Sequence, residues 1–195
     1  MAEGRSWVML CGHQAGAELY GAERSLLDLA RAMQSLRLNV LAVLPSAVNE
    51  AYLDAVSALC QQVAIVPLLW WRQGRAAQQA TTSCLEGLIR QYGVKLVYVN
   101  TVVLAEPLQA ARRLSVPVVV HGREMPAHDP ALCELLMATP EQVAEQVRTG
   151  ADVLVANSAC RHATTERLAA SWCPISSIRR CSRCRCHSRP ASRSP

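Results

Sequence analysis

The chain lacks any apolar run approaching the roughly 20 residues that a membrane-spanning helix requires. Its longest candidate, Val63 to Trp71, stops at Arg72. Only a handful of apolar residues separates Arg5 from Gly12 and His13, too few for the about 7–15-residue core of a secretory leader. No solenoid-type repeat is visible. No GxGxxG follows the first apolar run, no P-loop occurs anywhere, and no acidic residue closely follows the second run, where Leu44 leads to Pro45-Ser46. These absences argue against another nucleotide-dependent α/β enzyme such as a dehydrogenase or an epimerase. The chain is read as cytoplasmic, touching at most the inner face of a membrane.

Acidic residues are missing from one stretch in particular. Between Trp172 and Pro195 there are six Arg and no Asp or Glu, so removing them from the formal +5 leaves −1 over the first 171 residues. The basic charge belongs to the tail, and the bulk of the chain offers no specific nucleic-acid surface. Cysteines divide the same way. Cys11, Cys60, Cys84, Cys133 and Cys160 are scattered in apolar surroundings, as small buried hydrophobes of a reducing compartment. Cys173, Cys181, Cys184 and Cys186 crowd the tail beside His187. Those are zinc ligand types, but CxxCxC is tight and its spacers are nearly all Arg and Ser, so no metal is assigned. A disordered basic arm is the other reading of this tail.

What is present is a globular composition, 51% hydrophobic over 195 residues, enough for one domain with a full core. Short apolar runs alternate with helical stretches. Strands are expected at Trp7–Cys11, Asn39–Leu44, Val63–Leu68, Val94–Val99, Pro117–Val120 and Asp152–Ala156. Helices are expected at Ala22–Leu36, Glu50–Gln61, Ala76–Tyr92, Leu104–Leu114, Pro140–Thr149 and Cys160–Ala170. Leu26, Leu29, Ala30 and Met33 make one apolar stripe, Gly93 stops the third helix, and Pro140 opens the fifth. Continuous apolar strands separated by helices imply a parallel sheet covered on both faces. The expected fold is α/β, a single Rossmann-like doubly wound sheet over residues 1–171, followed by the basic tail 172–195, expected to be disordered.

Ligands of such sheets bind beyond the carboxyl ends of the strands. There the sequence places Gly12-His13 and a loop to Gly21, then Asn100-Thr101, His121-Gly-Arg-Glu124 and Asn157-Ser158. Gly16 and Gly21 would let backbone approach a phosphate before a helix N-terminus. His121 suits a general base or a partner for a sugar hydroxyl, with Arg123 and Glu124 placed to orient it. Strand ends and helix caps use the same polar residues, Thr101 and Ser158 especially. Trp70-Trp71-Arg72 offers either an acceptor-side or membrane-surface patch, or burial beside the sheet.

Gly21-Ala22-Glu23-Arg24 resembles the Gly-Gly-Ala-Glu-Arg signature of family 4 glycosyltransferases with the GT-B fold, with Tyr20 in place of the first glycine. Val99-Asn100-Thr101, Val120-His121-Gly122-Arg123-Glu124 and Ala151-Asp152-Val153 to Asn157-Ser158 are similar to later segments of that family, in order, from about Trp7 to Ala170. The resemblance implies the N-terminal, acceptor-side half of a two-domain enzyme. Such an enzyme transfers a sugar from a nucleotide-sugar donor to a carbohydrate or lipid-linked acceptor, without a metal or other cofactor. His121 would lie at the sugar–acceptor junction as the catalytic residue. Gly16, Gly21, Glu23, Asn100, Thr101, Arg123, Glu124 and Ser158 would line the substrate site. The donor-binding half is not in this chain, and the tail reads as the product of a truncation or frameshift, so the chain alone is expected to be inactive. The alternative is a non-catalytic Rossmann-like binding module or pseudoenzyme.

Overall fold

The computed structural model describes residues 5–12, 16, 19–156 and 173–174. The expected helix at Cys160–Ala170, Asn157-Ser158 and the cysteine cluster beyond Cys173 lie outside the described residues. The strands are β1 (Trp7–Cys11), β2 (Asn39–Leu44), β3 (Gln62–Ile65), β4 (Val94–Val99), β5 (Val118–Gly122), β6 (Val153–Ala156) and β7 (Cys173–Pro174). All pair in parallel, in the order β3-β2-β1-β4-β5-β6-β7. Chain direction across the sheet reverses between β1 and β4, the switch point beside which open sheets of this kind hold ligands.

Among the described residues six α-helices cover the sheet: α1 (Gly21–Ser35), α2 (Glu50–Ser57), α3 (Gln79–Tyr92), α4 (Glu106–Arg113), α5 (Pro130–Leu136) and α6 (Pro140–Gly150). Strands β1 and β2 are buried on both faces, which is why their sequences are almost continuously apolar, while β4 exposes only Lys95. Along β1, Val8 and Leu10 pack with Leu26, Ala30 and Met33 of α1 and Tyr52 and Val56 of α2. Met9 and Cys11 face the other way, toward Leu85 and Ile89 of α3, Leu108 and Ala111 of α4 and Val143 and Val147 of α6. The period of two along a strand makes these two separate cores. The fold is therefore the single doubly wound Rossmann-like sheet expected.

Several boundaries differ for local reasons. The chain leaves β3 at Ile65 because Pro67 follows, with no N–H for a sheet ladder. Helix α2 ends at Ser57, where the amides of Leu59 and Cys60 both turn back to the Val56 carbonyl. Helix α3 starts only at Gln79, because the Gln78 amide donates to Glu106 Oε1 at 3.2 Å instead of joining a helix. Gly93 closes it with φ 62°, a left-handed cap that glycine takes without strain. Helix α5 was not expected, yet it carries ordinary start signals. Asp129 caps it by accepting from the Leu132 amide at 2.9 Å, and Pro130 occupies its first turn.

Candidate active site

The carboxyl ends of β1, β4 and β5 meet the start of α1, and four hydrogen-bond clusters hold them together. The first is built on Asn100, which follows β4 and is 1% exposed. Its Nδ2 donates to the Ala22 carbonyl at 2.9 Å, and its Oδ1 accepts from Ser25 Oγ at 3.3 Å. Asn100 thus fixes the first turn of α1 over the switch point.

The second is built on Glu124. Its Oε1 accepts from Thr101 Oγ1 at 2.5 Å. Its Oε2 accepts from the backbone amides of Val102 at 3.1 Å and Arg123 at 3.2 Å. One carboxylate therefore ties the β5 exit to the loop after β4. Thr101 is fully buried, so its side chain belongs to this clamp. The third is Arg123, whose Nη2 reaches across to the Gly21 carbonyl at 3.0 Å.

The fourth is His121. It lies inside β5, opposite Val155 of β6, one residue farther into the sheet than the expected strand end. The ring is 4% exposed. Its Nδ1 shares a hydrogen bond with the Tyr98 hydroxyl at 3.2 Å, and the two rings meet edge to face, 6.2 Å apart. Burial pushes the Tyr98 hydroxyl up to about 12, against a smaller opposing pull from the Arg123 guanidinium. Tyr98 therefore stays a neutral hydroxyl at physiological pH and orients the imidazole. No feature of the sequence singled out Tyr98; only strand pairing brings positions 98 and 121 together.

Glu23 is buried at 3% exposure in the first turn of α1, and its Oε2 accepts from the Tyr20 amide at 2.9 Å. That contact is the return half of a capping box. Gly16 is exposed and hands its carbonyl to Asn49 Nδ2 at 2.7 Å, joining the loop to the cap of α2. A Cβ on Gly21 would meet only Arg123 Nη2 at 3.5 Å, ordinary contact distance. Gly12 is different, since a Cβ there would strike Leu26 Cδ1 inside the core. Its glycine serves packing of α1 on β1. Ser158 lies outside the described residues. Of the Trp70-Trp71 pair, Trp71 is core: it is 6% exposed and its indole donates to the Val102 carbonyl at 3.0 Å. Trp70 keeps 37% exposure.

Eight of the nine residues singled out in the sequence therefore lie within the described part of this rim or its supports; Gly21, Thr101, Arg123 and Glu124 bond one another, and Gly16, Glu23, Asn100 and His121 are held by neighbours outside the set. Among the described residues no group of three His, Cys, Asp or Glu side chains could hold a metal ion, and no helix is long and apolar enough to cross a membrane.

No protein family description matches the chain, and neither does any curated protein. Solved structures do share its fold. A glycosyltransferase from Rickettsia africae superposes with a TM-score of 0.56 at 12% identity, covering 89% of this chain and 43% of its own. MurG from Acinetobacter baumannii gives 0.51 at 18% identity, covering 79% and 42%. A protein described as a UDP-N-acetylglucosamine 2-epimerase from Listeria monocytogenes gives 0.54 at 8% identity, covering 86% and 42%. These likenesses establish the class of fold, the Rossmann-like α/β half of a GT-B architecture. The chain spans about two fifths of the length of each neighbour.

Proposed function

We propose that the chain is the N-terminal, acceptor-side domain of a glycosyltransferase resembling family 4, with residues 1–171 as the domain. In this reading a sugar passes from a nucleotide-sugar donor to a carbohydrate or lipid-linked acceptor. The observation that carries it is the arrangement at the switch point, where Gly21, Asn100, His121, Arg123 and Glu124 converge from three elements on one rim. The amino end of α1 carries a partial positive charge suited to a diphosphate, and Gly21 leaves backbone there uncovered. In this reading His121, whose Nδ1 is bonded to the Tyr98 hydroxyl, is the polar group that meets the transferring sugar or its acceptor. Asn100, Thr101 and Glu124 act as positioning residues that keep the rim in shape. A lipid-linked acceptor would bring the chain to the inner membrane face, where Trp70 is the exposed tryptophan of its pair.

The second reading is a binding module without turnover. It is favoured by the 4% exposure of His121, which leaves little of the ring open in the free chain. Both readings share an expected result. The purified 195-residue polypeptide, incubated with UDP-sugars and glycan or lipid-linked acceptors, forms no transfer product and no epimer. One Rossmann-like sheet supplies only one wall of the two-domain cleft that such chemistry uses. Product formation by the polypeptide alone, followed by mass spectrometry, would count against this reading.

A further inference from the structure

An open groove of about 660 Å³ with exposed arginines on its walls lies on the α3–α4–α6 side of the sheet. Its walls include Arg72, Arg75, Arg112 and Arg113, with Gln73, Gln109, Gln146 and Thr149 between them, and no carboxylate. It runs from the loops that follow β3 and β4, where Trp71 and Ala105 lie, along α4 to the carboxyl ends of α4 and α6. None of the rim residues Gly21, Asn100, Thr101, His121, Arg123 or Glu124 lines it.

Two separate elements deliver the arginines. Arg72 and Arg75 occupy the first and last positions of a tight turn, closed by the Arg75 amide on the Arg72 carbonyl at 3.0 Å. Gly74, with φ +77°, supplies the left-handed residue such a turn requires. The Gln73 amide anchors the turn to the Leu136 carbonyl of α5 at 2.8 Å. Arg112 and Arg113 come from the last turn of α4.

Helix polarity gives part of the explanation for Arg112 and Arg113, since cations suit a helix carboxyl end. Arg112 Nε accordingly faces the Gly150 carbonyl at 3.4 Å. It does not account for Arg72 and Arg75. Arg113 is paired with Glu86 at 3.2 Å. Arg75 donates to the Trp70 carbonyl at 2.5 Å. Among the described residues Arg72, Arg75 and Arg112 have no carboxylate partner within 4.0 Å. Glu134 shares a neighbouring hollow with Arg72 without pairing to it, and Glu106 stands behind the wall, 2% exposed. Gathering guanidinium groups around one concave, polar-lined space costs repulsion that a bound anion would relieve. The volume falls in the range of small-molecule sites and exceeds that of a single phosphate.

We propose that this groove binds a phosphate-bearing polyanion, a diphosphate or a phosphorylated metabolite or headgroup. Arg72 and Arg112 grip it from opposite walls through forked, charge-assisted hydrogen bonds. The inference does not depend on the glycosyltransferase reading. Inorganic pyrophosphate titrated into the full chain by calorimetry should bind saturably and more weakly as salt rises. Arg72→Ala and Arg112→Ala should each weaken it about tenfold or more, with unchanged circular dichroism. Gly74→Ala, which strains the turn, should weaken it while leaving all four arginines in place. Sedimentation with phosphatidylglycerol vesicles separates the sources. Vesicle binding lost in Arg72→Ala and competed by pyrophosphate supports a lipid headgroup, and pyrophosphate binding without it supports a soluble ligand. Binding unchanged in both arginine variants belongs to the basic tail, and binding lost only in Arg123→Ala belongs to the rim. Either result, or no binding at all, overturns the proposal.

Discussion

Glu124→Ala is expected to destabilise the chain by about 3–5 kcal/mol, read as a lower midpoint in urea with little change in slope. Few single side chains here serve so many buried partners. The carboxylate accepts from Thr101 Oγ1 and from the amides of Val102 and Arg123, and Thr101 and Val102 are at most 3% exposed. Removing it strands a hydroxyl and two N–H groups where water enters poorly, and each stranded buried donor costs roughly 1–3 kcal/mol. Thr101→Val leaves the two backbone bonds to Glu124 Oε2 in place but strands Glu124 Oε1 and the Val103 amide that Thr101 Oγ1 accepts at 3.3 Å, so it should cost less, about 2–3 kcal/mol. The comparison matters for function. If Glu124 is a clamp, its loss loosens the loops after β4 and β5 together, and a ligand at the rim would bind worse without Glu124 ever touching it.

The second large effect is alkaline. Burial raises the Cys11 thiol from 9.0 to about 12 and the Tyr98 hydroxyl from 10.0 to about 12. Cys11 is completely inside the core, on the face of β1 toward α3 and α4. In the unfolded chain both groups ionise at their ordinary values, whereas in the fold they resist. Folded values above unfolded ones mean that the stabilisation is intact below about pH 9 and is lost as pH rises toward 12. A tenfold change in an ionisation constant is worth about 1.4 kcal/mol, so Cys11 alone accounts for a loss on the order of a few kcal/mol. Urea midpoints should therefore be flat from about pH 7 to 8.5 and fall steeply above. Cys11→Ala should start from a lower plateau, because it leaves a small cavity, and then fall less steeply. Parallel curves for the two proteins would show that Cys11 is not the group responsible.

Much of this architecture was legible in the sequence because the central strands have almost no solvent face. The runs Trp7–Cys11, Asn39–Leu44 and Val94–Val99 match the observed strands residue for residue, since burial makes them apolar at nearly every position, the exposed Lys95 of β4 being an exception. The edge strand β3 was less clear. Its residues are half exposed, and its apolar run continues past Ile65 into Val66, whose amide still bonds the Leu44 carbonyl at 2.9 Å, and Leu68, both buried in the core on the α3–α4 side. Helix α5 was missed because seven residues offer less than two turns of periodicity, although Asp129-Pro130 marked its start. The polar positions at the strand ends were found as a set. Their division of labour was not, because it depends on contacts between residues 22 to 102 positions apart: Glu124 with Val102 and Thr101, Tyr98 with His121, Arg123 with Gly21. Trp71 shows the same limit. Two adjacent tryptophans looked alike in sequence, and only the neighbouring Val102 carbonyl decides that one indole turns inward.

All of the functional reading turns on whether the rim at the β1–β4 switch point receives the nucleotide-sugar and its acceptor. Backbone amide NMR of the full chain, titrated with a UDP-sugar, addresses this residue by residue. Weak, concentration-dependent shifts are expected at Gly21, Asn100, His121 and Arg123, lost in Arg123→Ala but kept in Arg72→Ala, whereas any shifts around Arg72 and Arg112 are lost in Arg72→Ala. A UDP-sugar that leaves those four rim positions unmoved, or that shifts only residues elsewhere on the chain, would rule the rim out as the binding site.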